Sequence, residues 1–277
     1  MKPMMALWAM LAGGVIVSAA EPDEVATQMK KLESKRPYDR TRAIHILSDI
    51  VDAKHPSSKA VLAALERVRE KDPELSVRDA AYSAILQITG ERDPRSDANG
   101  AIFGIDGPRG VSNICYIIER SNRTDPALPR INSELGKAVD GMNSTKRFNC
   151  VWGRADPYSL SARSLVPAMA DNRMHFAKHL SGLPKSGKAA EPFHNAFAAV
   201  FEMTGRVGEV PTKTQVVYVV AATDLTAEGL AEVTKANTAK AKIYVIGLTA
   251  GGAKHPNWEK LAAANGGSYK AVELKPE

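Results

Sequence analysis

The sequence predicts an α/β fold, a mainly parallel sheet with helices on both faces, preceded by an α-helical segment. Three observations lead there. From residue 112 onward, short continuous apolar runs alternate with amphipathic stretches. Residues 23–90 keep helical spacing with few breaks, and a polar, turn-rich stretch separates the two regions. Continuous apolar runs suit strands buried on both faces. Strands that alternate with helices suit a parallel sheet.

The N-terminus reads as an export signal. Met1-Lys2-Pro3 is a short positive region, Met4 to Val17 is apolar, and Ser18-Ala19-Ala20 is a small-residue cleavage pattern before the polar Glu21-Pro22-Asp23-Glu24. That is the layout of a secretory signal peptide over 1–20. The apolar run is too short and glycine-interrupted for a spanning helix of about 20 residues, so contact with a membrane is expected only if this segment stays uncleaved. The expected localisation is periplasmic or cell-envelope/extracellular. Export permits a disulfide, but Cys115 and Cys150 both fall in predicted buried strands, where cysteine behaves as a small hydrophobe. Free thiols are expected.

Residues 21–92 form the helical segment. Ala43, Ile44, Leu47, Ile50 and Val51 follow i, i+3, i+4, i+7 spacing, as do Val61, Leu62, Leu65 and Val68, and then Val77, Ala80, Ala81, Ala84, Ile85 and Ile88. Gly90 supplies the stop signal. Arg40, Ala43, Leu47 and Ile50 are matched 38 residues later by Arg78, Ala81, Ile85 and Ile88. The run Ser76-Val77-Arg78-Asp79-Ala80-Ala81 with Ala84-Ile85 resembles a HEAT repeat, whose period is about 40 residues. A plain helical bundle is the alternative. Residues 93–111, which begin with the turn-rich Asp93-Pro94-Arg95-Ser96-Asp97, read as a linker.

Over 112–277 the strands are Ile114–Ile118, Phe148–Trp152, Val216–Val220, Ile243–Ile246 and Tyr269–Val272. Helices are expected near 127–143, 171–181, 192–204, 226–239 and 257–264. On such sheets ligands bind beyond the carboxyl ends of the strands, where strand order reverses.

The order of elements from about 103 to 273 resembles the von Willebrand factor A family, in particular exported members with an upstream helical segment. The matching patterns are Phe103-Gly104-Ile105 before the first strand, Arg147-Phe148-Asn149 opening the second, Thr223-Asp224 after the central strand and Asn265-Gly266-Gly267-Ser268-Tyr269 before the last. The resemblance implies a doubly wound six-stranded sheet and a binding module. It also implies a Mg²⁺ held by Asp-x-Ser-x-Ser at the end of the first strand, with a Thr and an Asp from later loops. Mg²⁺ wants about six oxygens in near-octahedral array. The matching run here is Glu119-Arg120-Ser121-Asn122-Arg123. Glu119 replaces the Asp, Ser121 is retained, Arg123 replaces the second Ser, the Thr falls at Ala189 or Ala190, and Asp224 matches the last acidic position. A guanidinium cannot ligate a metal. No tight Mg²⁺ site and no cofactor are expected; any divalent ion would have to use Glu119, Ser121 and Asp224. Arg123 is expected to take the metal's electrostatic place, paired with Glu119 and Asp224.

Other constellations point elsewhere or nowhere. Gly182-Leu183-Pro184-Lys185-Ser186-Gly187-Lys188-Ala189 nearly spells a phosphate loop, but Ala189 stands where Ser or Thr is needed and a helix precedes it, so no nucleotide is expected. Asp171, His175 and His179 share a helix face without a third strong zinc ligand, so a solvated face is expected. His45, His55, His194 and His255 are scattered, and no G-x-S-x-G elbow is present. Lys+Arg 37 against Asp+Glu 31 gives a net charge of +6 that is spread rather than striped, which argues against nucleic acid. The expected partner is a protein or cell-envelope ligand, met by Ser121, Arg123, Lys188 and Asp224. The alternatives are a Mg²⁺-dependent adhesion domain, a hydrolase using Ser121 or the histidine pair, and a spacer whose helical segment does the binding.

Overall fold

A computed structural model describes residues 22–105, 107–153, 158–159, 164–190, 193–207, 210–250 and 253–274. The expected signal segment, 1–20, lies outside them. No helix among the described residues is long and apolar enough to cross a membrane. The chain divides into two compact units, residues 1–91 and 92–277.

The first unit holds four helices, α1 (Pro22–Lys31), α2 (Pro37–Ile50), α3 (Ser58–Lys71) and α4 (Leu75–Thr89). The expected periodic positions make its core: Ala43, Ile44, Leu47, Val61, Leu65, Val77 and Ala81 are all buried. Gly90 ends α4 at φ +71°, a left-handed position that glycine takes without steric cost. The 38-residue offset recurs in a contact. Arg40 Nη1 donates to Ser34 O at 2.8 Å, and Arg78 Nη1 donates to Asp72 O at 2.6 Å, each reaching six residues back. Arg40 also grips the Asp72 carboxylate through Nε and Nη2 at 2.7 and 2.8 Å.

The second unit is the α/β domain. Its strands are β1 (Asn113–Glu119), β2 (Arg147–Gly153), β3 (Tyr158–Ser159), β4 (Val166–Pro167), β5 (Thr204–Val207), β6 (Val210–Lys213), β7 (Val216–Ala221), β8 (Lys242–Thr249) and β9 (Tyr269–Glu273). The main sheet runs β3-β2-β1-β7-β8-β9, with β4 also on β2. The five long strands are parallel, and the two-residue β3 and β4 are antiparallel to β2. The expected six-stranded, doubly wound, mainly parallel sheet is therefore present. The antiparallel β5–β6 hairpin forms a separate small sheet.

Helices α5 (Leu128–Asp140), α6 (Ala170–Ser181), α7 (Asn195–Glu202), α8 (Ala227–Ala236) and α9 (Pro256–Ala264) cover the two faces. Successive strand residues point to opposite faces. Ile114, Tyr116 and Ile118 pack with Ile131 and Leu135 of α5 and Phe176 of α6. Cys115 and Ile117 face the other way, with Phe197 of α7, Val233 of α8 and Trp258 of α9. The cysteines are free, and burial pushes both thiols up. They lie on opposite faces, Cys115 in one core and Cys150 in the other, so no bridge can join them.

Residues 93–111 are not a linker. Ile102, Phe103, Ile105 and Val111 are buried in the core of the α/β unit. The aligned tyrosines of β1 and β7 hold the segment: Tyr116 Oη donates to Gly100 O and Tyr218 Oη to Asn99 O, both at 2.8 Å. Lys270 Nζ adds a bond to Phe103 O at 2.7 Å. The polar composition near residue 95 hides this role, because four spaced apolar side chains make no periodic signal.

Candidate functional site

Strand order reverses between β1 and β7. The chain moves outward from β1 to β2, and from β7 through β8 to β9 in the other direction. The loops after these two strands therefore diverge and leave a crevice, the usual ligand position in open α/β sheets. A cleft of about 390 Å³ opens there, lined by Asn122, Arg123, Ala189, Ala190, Thr223 and Asp224. Phe193 and Trp258 also line it, their rings 5.6 Å apart.

Beneath the cleft the last residue of β1 organises the rim. Glu119 is 1% exposed. Its Oε1 accepts from Ser121 Oγ at 2.6 Å. Its Oε2 accepts from Ala222 N at 2.8 Å, Thr223 N at 3.0 Å and Thr223 Oγ1 at 2.9 Å. Four donors thus stabilise the charge of a carboxylate removed from water. Ser121 is also fully buried, and its Oγ accepts from Arg123 N at 3.2 Å. Thr124 closes the turn, accepting from Ser121 N at 3.1 Å and donating to the Glu119 and Ser121 carbonyls.

The other carboxylates of the rim are also engaged with the chain. Asp224 turns to the start of α9, where Oδ1 accepts from Asn257 N at 3.2 Å and Trp258 N at 3.3 Å. It accepts from Leu225 N as well, at 2.9 Å. An anion at a helix N-terminus meets unpaired N–H groups and the positive end of the helix dipole. Asp125 does the same for the loop that resembles a phosphate cradle. Its two oxygens accept from Ser186 N and Gly187 N, both at 2.7 Å. The N–H pair that such a loop offers to an anion is therefore filled from within. The loop follows α6, as expected, and Asn122 N ties it to β1 through Lys188 O at 2.6 Å.

The expected internal ion pair does not form. Arg123 is exposed and makes no ion pair among the described residues. The reason is saturation: Glu119 already has four donors, and Asp224 faces backbone N–H groups. Lys188 is exposed beside Ala189, and its side chain is not part of the cleft lining. The structure thus brings Arg123, Ala189, Ala190 and Asp224 to one cleft and sets Glu119 and Ser121 below it.

Four residues of this site went unassigned in the sequence: Thr124, Asp125, Thr223 and His255. His255 lies at 5% exposure against Tyr269, Nδ1 to Oη 3.3 Å. Burial pulls its pKa down, while Asp224, Glu119 and a bond to the Ala222 backbone pull the other way and the Arg123 charge adds to the lowering. The available signal was topological: His255 follows β8, so its loop must reach the same rim. Away from the cleft, Asp171 and His175 are exposed, as expected of a solvated face. His179 instead accepts from Trp152 Nε1 at 3.1 Å, and burial first, then His175 and Arg120, lower its pKa. Among the described residues no three His, Cys, Asp or Glu side chains come together as a metal-holding group.

No family model matches the chain, and no curated protein does. Solved structures with a similar arrangement include a von Willebrand factor type A protein from Catenulispora acidiphila, 15% identical over 59% of this chain and 39% of that one, TM-score 0.46. Another is proximal thread matrix protein 1 from the mussel byssus, solved with a zinc-occupied MIDAS motif. It is 13% identical over 58% of this chain and 43% of its own, TM-score 0.43. A third is the human COPII-coat protein Sec24c, 9% identical over 64% and 31%, TM-score 0.40. The chain spans about two-fifths of the length of the first two. At these identities and scores the likeness carries nothing about activity.

Proposed function

We propose that this chain is an exported, non-catalytic protein-binding module that docks its partner at the cleft between β1 and β7 without a divalent metal. One observation carries the reading: the Glu119 carboxylate accepts four hydrogen bonds from the protein while the Arg123 guanidinium stays exposed on the cleft wall. A Mg²⁺ shell needs about six oxygens with free lone pairs. Here Ser121 Oγ is spent on Glu119, and Asp224 Oδ1 is spent on Leu225 N and the start of α9, which leaves Asp224 Oδ2 with a single 3.3 Å contact from Asn257 N. Ala189 and Ala190 bring no hydroxyl to the cleft. The donor set as arranged does not suit the ion, so the attraction falls to Arg123 in the cleft, with Lys188 exposed outside its lining, and the matching group on the partner is a carboxylate. The non-catalytic reading is supported by Ser121, whose hydroxyl is buried away from the cleft and bonded to Glu119, a carboxylate that already accepts three other hydrogen bonds. The helical unit, with its 38-residue echo, is read as a HEAT-like pair that precedes the binding domain in the sequence.

The test is an amide-resolved NMR titration of the full chain with N-acetyl-glutamate amide as the carboxylate probe. Saturable shifts at Asn122, Arg123, Ala190 and Thr223, lost in Arg123→Gln, are expected. Absence of shifts there, or shifts indifferent to Arg123→Gln, contradicts the proposal.

A further inference from the structure

The opposite end of the same strands carries a different chemistry. A groove of about 430 Å³ opens at the N-terminal ends of β1, β7 and β8, and its lining includes Arg109, Lys213, Lys240 and Lys242. These cations come from three separate places in the sequence, so the fold builds a cluster that the chain order conceals. No acidic side chain is among the lining residues. Lys213 pairs with Glu202 at 3.0 Å, across an exposed contact. Arg109, Lys240 and Lys242 are exposed and make no ion pair among the described residues.

The groove is built rather than loose. Gln215 Oε1 accepts from Ser112 N at 2.8 Å and Asn113 N at 3.1 Å, joining the starts of β7 and β1. The turn from α8 into β8 is braced by Asn237, which donates to Ala241 O and accepts from Ala241 N, both at 2.8 Å. Lys240 sits in that turn at φ +54°. The left-handed region is sterically unfavourable for a residue other than Gly, Asn or Asp. Glycine is the relaxed choice at such a position; the chain holds an exposed lysine there, in the groove lining.

We propose that this groove is a second docking surface, for an acidic polypeptide segment. The sign of the charge selects a polyanion. The lining holds no aromatic ring on which a nucleic-acid base would stack. Its concave form, with no exposed apolar wedge among the lining residues, suits an inserted chain better than a flat lipid surface. A carboxylate-rich segment laid across the rim meets Arg109 on one side and Lys240 and Lys242 on the other.

The test is fluorescence anisotropy of a fluorescein-labelled poly-glutamate peptide with the full chain at low salt. Saturable binding is expected that weakens steeply as salt rises. The Arg109→Glu/Lys240→Glu/Lys242→Glu variant should lose at least about tenfold in affinity, whereas Arg123→Glu/Lys188→Glu, at the other rim, should leave this groove's share of the binding in place. Lys240→Gly relieves the turn and removes one charge. It should fold at least as well as the parent by circular dichroism and still bind more weakly, which separates lost charge from lost structure. The proposal is overturned if the peptide does not bind, if the triple variant binds as the parent does, or if single-stranded DNA or phosphatidylserine vesicles bind more tightly through the same three residues. Because the two rims respond to different variants, failure here leaves the cleft reading standing, and the reverse.

Discussion

The two ends of the central strands use charge in opposite ways. At the C-terminal rim the acids are consumed by the fold: Glu119 joins β1 to the loop after β7, Asp224 caps α9, and Asp125 holds the loop at Ser186 and Gly187. At the N-terminal rim the cations Arg109, Lys240 and Lys242 are exposed and make no ion pair among the described residues. The difference teaches which charges belong to stability and which to recognition. A buried carboxylate satisfied by N–H and O–H donors is expensive to remove, because its donors are then orphaned. An exposed lysine costs almost nothing to replace, so its place is best explained by what it meets.

This contrast is breakable at several points. Glu119→Ala strands the hydroxyls of Ser121 and Thr223 and two backbone N–H groups. A loss of about 3 kcal/mol or more is expected in urea unfolding; a loss under about 1 kcal/mol would mean that the acid is not the organiser of the rim. Asp125→Ala frees only the Ser186 and Gly187 N–H groups, which are near solvent, so about 1–2 kcal/mol is expected in the same assay.

The buried His255 sharpens the comparison through pH. Its folded-state pKa is depressed, so the unfolded chain binds the proton more readily. Stability is therefore full above the ordinary histidine value of about 6.5 and declines as pH falls from there toward the lowered value. His179 contributes with the same sign. Unfolding free energies measured from pH 8 to pH 5 should fall in the parent and fall less in His255→Gln; an identical slope would remove His255 from the account. The smallest effect belongs to the other rim, where Lys242→Ala should change stability by less than about 0.5 kcal/mol, read by the same unfolding curves.

Much of the fold was legible because it is written in local runs. Ile114–Ile118, Phe148–Trp152, Val216–Val220 and Ile243–Ile246 are apolar stretches, and all lie within parallel strands. The edge strands β3 and β4 have two residues each, too few for any pattern. The β5–β6 hairpin carries Gly205 and Pro211, residues that depress strand propensity, and went unseen. The helix near 257–264 was legible, but not that His255 just before it is buried against Tyr269.

The family resemblance pointed to the site residues, and topology agrees. Glu119 ends β1, and Ser121 and Asp224 follow β1 and β7, so they had to reach the same rim. Their bonding was not legible, because two of the three donors that fill Glu119 Oε2 are backbone N–H groups 103 and 104 residues away. Side-chain identity says nothing about those groups. That is why pairing Arg123 with Glu119 looked natural in the sequence and fails in the structure. The basic groove escaped notice for the related reason that Arg109, Lys213, Lys240 and Lys242 make no stripe until the strands are assembled.

The central claim is that too few oxygens of the C-terminal rim are left free to hold a divalent ion. Calorimetric titration of the full chain with MgCl₂ and then MnCl₂ tests it most directly. The account predicts no saturable heat with either ion, in the parent and in Asp224→Asn alike. Saturable binding in the micromolar range by the parent, abolished in Glu119→Gln, would contradict it.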